Sequence, residues 1–569
     1  MPSPGRHRAL TTNVGHGAIV PEIAPFGESL SIRANAGGLP GRKRLVSYRL
    51  RIGMNGPPAP PPAAPDRSER LRSAIVRGWH RLHRSRSNGE PRSWVSVSQT
   101  LVRSALLAIP IGVVAGLGSA AFYFLWLEST RFFLEGIVGI GYPYAGVPPG
   151  GVVAWSSSFP RILLLPVVMA VGGLGTGWIV ARWSPEVAGH GTDAAIKSFH
   201  EEGGRVRRRV PFLKVIASAL TLGTGGAGGR EGPSGQIGGA FGSWWADSLG
   251  LSDRERRIAL ATGLGAGVGA IFRAPLGGAI YSAEILYIQD FEPDVFFPAI
   301  VASVISYAIF GGLFGFSTLF ALPAGGLSWN VEQIPLYVLL GLICAVAGVG
   351  FIRFFRSTED RFKTLRGGPL LRIPLGMAIA GVAVLAIYFA LPWGNHFAAL
   401  ASIDVGYGFV QATMLGQIGV TTLAPLALAA LSVAIVLRAT TTCLTVGSGG
   451  AAGLFGTSVV IGALVGVEIG AAFHTLLPSV VSVSEISAFA IVGMMTFFGG
   501  VSKAPLAVLV MVAEMTGSYD LLVPAMLAIF IAYIGTGPYH LYEEQRATRL
   551  DSPAHRDEYV ALLRGEQTP

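Results

Sequence analysis

Charge is scarce in this chain: Asp, Glu, Lys and Arg make up 13% of the 569 residues, against roughly 25% in soluble proteins. Cysteine is scarcer still. Cys344 and Cys443 are the two present, both in apolar stretches, and two thiols make neither a disulfide framework nor a structural zinc site. Small secreted scaffolds and zinc modules are therefore excluded. No early stretch joins a charged start, an apolar centre and a small-residue cleavage site, as a secretory signal would.

What fills the chain instead is apolar. Hydrophobic residues make up 51% and the mean hydropathy is +0.53, which over this length argues for a membrane protein. Residues 1–98 hold 16 Lys/Arg against 5 Asp/Glu, and the remainder holds 27 against 28, so the whole basic excess lies in the N-terminal arm. That arm is rich in Arg, Ser, Gly and Pro, includes PPAPPPAAP at 57–65, and is expected to be disordered. Preceding an apolar body, it reads as cytoplasmic and lipid-facing, not as a nucleic-acid binder. Met54 offers an alternative start.

Apolar segments follow at about 101–127, 161–182, 211–222, 258–272, 274–288, 295–316, 334–355, 373–391, 418–437, 453–473, 486–500 and 503–534. Several reach the ~20 residues that span a bilayer, while others are short or cut by Gly and Pro. Backbone cannot break its hydrogen bonding in lipid unless it is buried in protein or lines a cavity, so broken helices point to an ion or solute site. RVRRR at 205–209, DRERR at 253–257 and RFFRSTEDRFKTLR at 353–366 read as charged connectors.

The body also matches itself. GREGPSGQIGG at 229–239 aligns with GLFGTSVVIGA at 453–463, an offset of 224. RAPLGGAIYSAE at 273–284 aligns with KAPLAVLVMVAE at 503–514, and Pro298-Ala299 with Tyr307 aligns with Pro524-Ala525 and Tyr533. Three matches in one order indicate duplicated halves, which in transporters often have inverted topology and a site at their interface.

Each half sets a Gly-rich stretch before an apolar helix: GTGGAGGREGP at 223–233 and GSGGAAGLFGT at 447–457. A helix start offers free N–H groups and the positive end of the dipole, so two such starts meeting would hold an anion with partial charges. Such a site binds a halide weakly enough to release it. Glu231 lies in the first loop, and a carboxylate in the membrane costs about 2.5–3.5 kcal/mol on insertion scales, which marks it as functional. It can occupy the anion site as a tethered competitor and leave when protonated. Glu284 and Glu514 are matched intramembrane carboxylates, for which capping or hydrogen bonding is the expected role.

These residues resemble the CLC chloride channels and chloride/proton exchangers over roughly 100–545. The anchors are GREGP at 229–233, GSGGAAGLFGT at 447–457, and Leu541-Tyr542 at the end of the last apolar region. The resemblance implies an all-α polytopic membrane protein of two inverted-topology repeats, with broken helices meeting at the midplane. The domains are then the arm 1–98, a transmembrane body 99–545 (repeats about 100–320 and 330–545), and a short cytoplasmic tail 546–569 without a regulatory domain. It makes Glu231 the gate, amides around Glu231, Gly232, Leu454, Phe455 and Gly456 the chloride contacts, and the Tyr542 hydroxyl a ligand of the central ion. It implies a homodimer and no cofactor, while the basic arm places both termini in the cytoplasm, with the protein expected in the cell (inner) membrane.

Three positions depart from the family pattern. His190, in Gly-His-Gly at 189–191, replaces the coordinating serine and could donate an N–H or stand aside. Thr457 replaces a proline. Ile285, after Glu284, stands where exchangers commonly carry a second carboxylate for internal protons, which leans towards a voltage- or pH-gated channel, although Glu284 or water could relay protons instead. Chloride/proton antiport and a CLC-type carrier of another small anion are the alternatives. An enzyme finds little support. GTGGAG at 223–228 with Asp247 fits a dinucleotide fingerprint, but its flanks are apolar helices and not βαβ units. The closest histidine pair, His80 and His83, lies in the arm.

Overall fold

The computed structural model describes residues 31–33, 47–49, 94–146, 153, 155–323, 326–392, 395–417 and 425–556. The chain divides into two units, Met1–Leu71 and Arg72–Pro569. In the first, β1 (Ser31–Arg33) and β2 (Ser47–Arg49) pair antiparallel, with Ile32 opposite Tyr48. The rest of that arm, up to Trp94, lies outside the described residues, as does 557–569 of the tail.

The second unit is helical. Its first half runs α1 (Trp94–Thr130), α2 (Leu165–Arg182), α3 (Thr192–Glu201), α4 (Val210–Gly223), α5 (Glu231–Ser248), α6 (Asp253–Phe272), α7 (Pro275–Glu284) and α8 (Pro293–Phe314). Two short strands, β3 (Ile140–Gly141) and β4 (Ser156–Ser157), pair between α1 and α2. The second half runs α9 (Ile334–Thr364), α10 (Pro369–Ala390), α11 (Phe397–Leu400), α12 (Tyr407–Met414), α13 (Pro425–Gly447), α14 (Phe455–Leu476), α15 (Ile486–Ser502), α16 (Pro505–Thr516) and α17 (Leu522–Gly535). Among the described residues, eight helices are long and apolar enough to cross a membrane, while α4, α16 and α17 are shorter apolar helices.

Three sequence readings are corrected. DRERR is no connector: it opens α6, where Ser252 and Glu255 form a capping box and Asp253 and Glu255 sit in the first turn, favourable to the dipole. RFFRSTEDRFKT continues α9 to Thr364, held beyond the apolar part by the Glu359–Lys363 pair at 3.2 Å. The run 503–534 is two helices, α16 ending at Gly517 with φ 72°.

The polarity of the unit is inverted relative to a soluble core. Val171, Leu174, Leu342, Val346 and Val436 are exposed, whereas Lys214, Glu231, Asp404 and Arg438 are fully buried. That pattern suits lipid outside and a polar interior. The repeats are visible in the backbone: Gly225 and Gly449 both have φ 105°, and Arg273 and Lys503 have φ 57° and 58°. Within the halves α5 packs on α6 as α14 packs on α15, and across them α7 packs on α16.

Candidate functional site

The two Gly-rich loops meet. Gly229 N–H donates to the Gly453 carbonyl and Gly453 N–H to the Gly229 carbonyl, each at 2.6 Å, as an isolated antiparallel bridge. Matched residues bonding each other reciprocally are what a two-fold axis between inverted halves produces. The approach leaves no room for side chains, since a Cβ on Gly453 would lie 2.9 Å from the Gly232 nitrogen. The bridge brings the starts of α5 and α14 together.

Glu231 is the first residue of α5 and is fully buried. One carboxylate oxygen accepts from the Gly456 amide at 3.1 Å, at the start of α14, and the other accepts from the Tyr407 hydroxyl. The carboxylate therefore sits where an anion would, held by the opposite helix start. It makes no ion pair with its neighbour Arg230, whose guanidinium lies over the rings of Tyr123, Trp126 and Tyr407 at 5.1, 5.5 and 5.3 Å.

The other expected residues gather here too. Leu454 and Phe455 are buried, and the Phe455 ring packs on Phe498 and Phe272 at 3.9 and 4.3 Å. Gly232 backs onto the His190 carbonyl, with which a Cβ would collide. Tyr542 is buried, its hydroxyl 3.5 Å from that of Tyr281 and its ring 5.5 Å from His190. Nε2 of His190 is 3.2 Å from Asp193 Oδ2, while its Nδ1 is buried without a partner.

Glu284 and Ile285 stand apart from this cluster. Both Glu284 oxygens accept from the start of α16, Leu506 N at 3.1 Å and Ala507 N at 2.6 Å. Ile285 is fully buried, its carbonyl accepting from Gln545 at 2.9 Å. Thr457 uses its hydroxyl where a proline would have none, 3.1 Å from Arg438 and 3.0 Å from Thr442.

Sequence reasoning missed Tyr407, Asp404 and Arg438. The buried Arg438 guanidinium donates to the carbonyls of Ile403, Asp404, Val405 and Gly228 at 2.7–3.1 Å, tying the loop before α12 to the loop before α5. Asp404 accepts from Trp126 and Thr130 at 2.7 and 3.1 Å. Together they aim Tyr407 at Glu231. Gly191 before α3 and Gly406 before α12 have φ 83° and 85°, and Gly189 and Asp404, two residues earlier, have φ 69° and 49°, so Asp404-Val405-Gly406 is the second repeat's counterpart of the Gly189-His190-Gly191 turn.

A voltage-gated chloride channel family model matches residues 172–537. The chain belongs to the CLC family. It is 30% identical over 446 residues to the H(+)/Cl(-) exchange transporter ClcA of Yersinia pseudotuberculosis, covering 77% of this chain and 85% of that protein. It is also 30% identical over 453 residues to chloride channel protein CLC-f of Arabidopsis thaliana, covering 75% of this chain but 53% of that longer protein. The CLC fold is shared with a slow cyanobacterial Cl-/H+ antiporter (TM-score 0.63, 22% identical, 77% of this chain and 96% of that one). A CLC-type fluoride/proton antiporter shares it likewise (TM-score 0.63, 19% identical, 80% and 100%). This CLC chain is thus an integral, multi-pass transport protein and not an enzyme.

Proposed function

We propose that this CLC protein moves chloride across the membrane through the junction of α5 and α14, with Glu231 as its gate. One observation carries the reading: the Glu231 carboxylate lies on the Gly456 amide, so an anionic group already occupies the meeting point of two helix starts. A chloride replacing it would meet amides at Gly232, Leu454, Phe455 and Gly456, with Tyr542 and His190 beyond. Chloride efflux from liposomes holding the purified protein tests this. Block of efflux by none of the substitutions at the two helix starts would overturn it.

Ile285 supports uncoupled conduction, since an apolar buried side chain accepts no proton. The second reading is chloride/proton antiport, supported by the exchangers among its relatives, and a third is transport of another small anion. Reversal potentials under opposed chloride and pH gradients separate the first two, for only exchange shifts with pH at fixed chloride. A halide series tests the third. The basic arm supports placing both termini in the cytoplasm, with the protein in the cell (inner) membrane. A homodimer follows from family membership, and the mass of the detergent-solubilised particle tests it.

A further inference from the structure

We propose that an anionic phospholipid binds where α2 ends and α10 begins, its phosphate between the side chains of Arg182 and Arg366 and its acyl chains along the two helices. α2 and α10 run antiparallel in close contact. Their nearest approaches pair Pro166 with Gly381, Gly173 with Pro374 and Gly177 with Leu370, and a Cβ on Gly173 would lie 2.7 Å from the Pro374 Cα. Carried one turn further, that register sets Arg182, in the last turn of α2, beside residues 365–368, the turn that holds Arg366 ahead of α10.

Both helices present apolar faces that end at these arginines. On α2, Val167, Val171, Leu174 and Trp178 are exposed at helical spacing, and Arg182 is the next position on that face. On α10, Leu371, Leu375, Ile379 and Val382 make the corresponding stripe, which starts directly after the turn. Trp178 and Trp183 lie at the polar end, both exposed, with ring centroids 4.6 Å apart. Tryptophans so placed collect at the level of the lipid headgroups. Hydrocarbon therefore covers the two faces, and headgroups meet the arginines.

Arg182 and Arg366 are exposed and, among the described residues, neither has a hydrogen-bond or ion-pair partner. Glu186, just beyond α2, pairs with Arg207 at 2.8 Å, and Glu359 of α9 pairs with Lys363 at 3.2 Å, so neither carboxylate neutralises them. Two guanidinium forks match a phosphate, whose oxygens accept paired N–H donors. A zwitterionic headgroup would bring its own cation to the same place, so net negative charge decides the class of lipid. Free phosphate would lack the chains that the apolar faces take. α2 belongs to the first half and α10 to the second, and each backs a Gly-rich loop, Gly172 on Thr224 and Ile373 on Gly449. The lipid thus bridges the halves beside the loops that build the anion site.

The test is lipid retention by the purified full-length protein, counted by native mass spectrometry after equilibration in mixed micelles holding equal phosphatidylglycerol and phosphatidylcholine. The parent should retain phosphatidylglycerol in preference, and Arg182→Gln and Arg366→Gln should each lower that preference about fivefold. The double variant should retain the two lipids alike. Arg208→Gln combined with Arg209→Gln, which removes equal charge at the nearby start of α4, should leave the preference unchanged. Phosphatidylglycerol should also raise the thermal unfolding temperature of the parent but not of the Arg182→Gln, Arg366→Gln variant. No preference in the parent, a preference that survives the double substitution, or an equal loss on removing Arg208 and Arg209 overturns the proposal.

Discussion

Glu284 caps the helix that carries Glu514, and Glu514 caps the helix that carries Glu284. Glu284 accepts the amides of Leu506 and Ala507 at 3.1 and 2.6 Å, and Glu514 those of Leu276 and Gly277 at 3.2 and 2.7 Å. Each carboxylate ends one short helix and completes the start of its counterpart, so the orphan donors of both are satisfied inside the protein. These acidic residues hold the repeats together.

Glu284→Ala should therefore destabilise the protein by roughly 1–3 kcal/mol, the penalty for leaving buried donors unpaired. Glu514→Ala should cost less, because Glu514 is only partly buried. Thermal unfolding in detergent reads both. Glu284→Gln should keep chloride flux and its pH response, and loss of that response would return Glu284 to the ion pathway.

Glu231→Gln should abolish the rise in chloride flux on acidification while flux itself persists, since the amide cannot compete as an anion. Flux from liposomes across pH 4 to 8 measures it. A variant that tracks the parent at each pH would remove Glu231 from the gate.

Tyr407→Phe deletes the hydroxyl that holds the gate carboxylate in place. A hydrogen bond to a charged group contributes about 1.5–3 kcal/mol, so the carboxylate should leave at least tenfold more readily and flux at neutral pH should increase. In a Glu231→Gln background the substitution should have far less effect. Equal effects in both backgrounds would show that Tyr407 acts without Glu231.

Beyond the spans, the segment after Tyr542 docks on α3 through His200. Its Nε2 donates to the Leu286 carbonyl at 2.9 Å, and its Nδ1 lies 2.7 Å from the Ser552 hydroxyl. Burial pushes the imidazole down to about 4, with Arg546 and His555 adding to the shift against the Leu286 bond and Glu292. The undocked ring takes up its proton near the ordinary value of about 6.5. Docking is thus fully stabilised above that value and loses up to roughly 3 kcal/mol as pH falls towards 4. Proteolysis of the segment should accelerate between pH 6.5 and 4.5, and His200→Gln should flatten the dependence.

What the chain disclosed before its structure was known is mostly backbone chemistry. The glycines of 223–229 and 447–453 advertise turns and close approach through their own residue type, and Glu231 stands out because a carboxylate between apolar helices is costly wherever it points. The reciprocal capping by Glu284 and Glu514 was within reach because both sit at matched positions. Tyr407, Asp404 and Arg438 were not. Tyr407 lies 176 residues from Glu231, and Arg438 210 residues from Gly228, so their roles exist only once the halves have packed. Helix ends misled for a different reason: in α6 and α9 the charged residues extend the helix by capping and pairing instead of ending it.

The paired 2.6 Å bonds between Gly229 and Gly453 restrict how this protein can work. Rocking one repeat against the other would sever both within the bilayer, where stranded amides and carbonyls each cost several kcal/mol. The scaffold is consequently fixed at its centre, and the moving parts are side chains small enough to rotate where they stand.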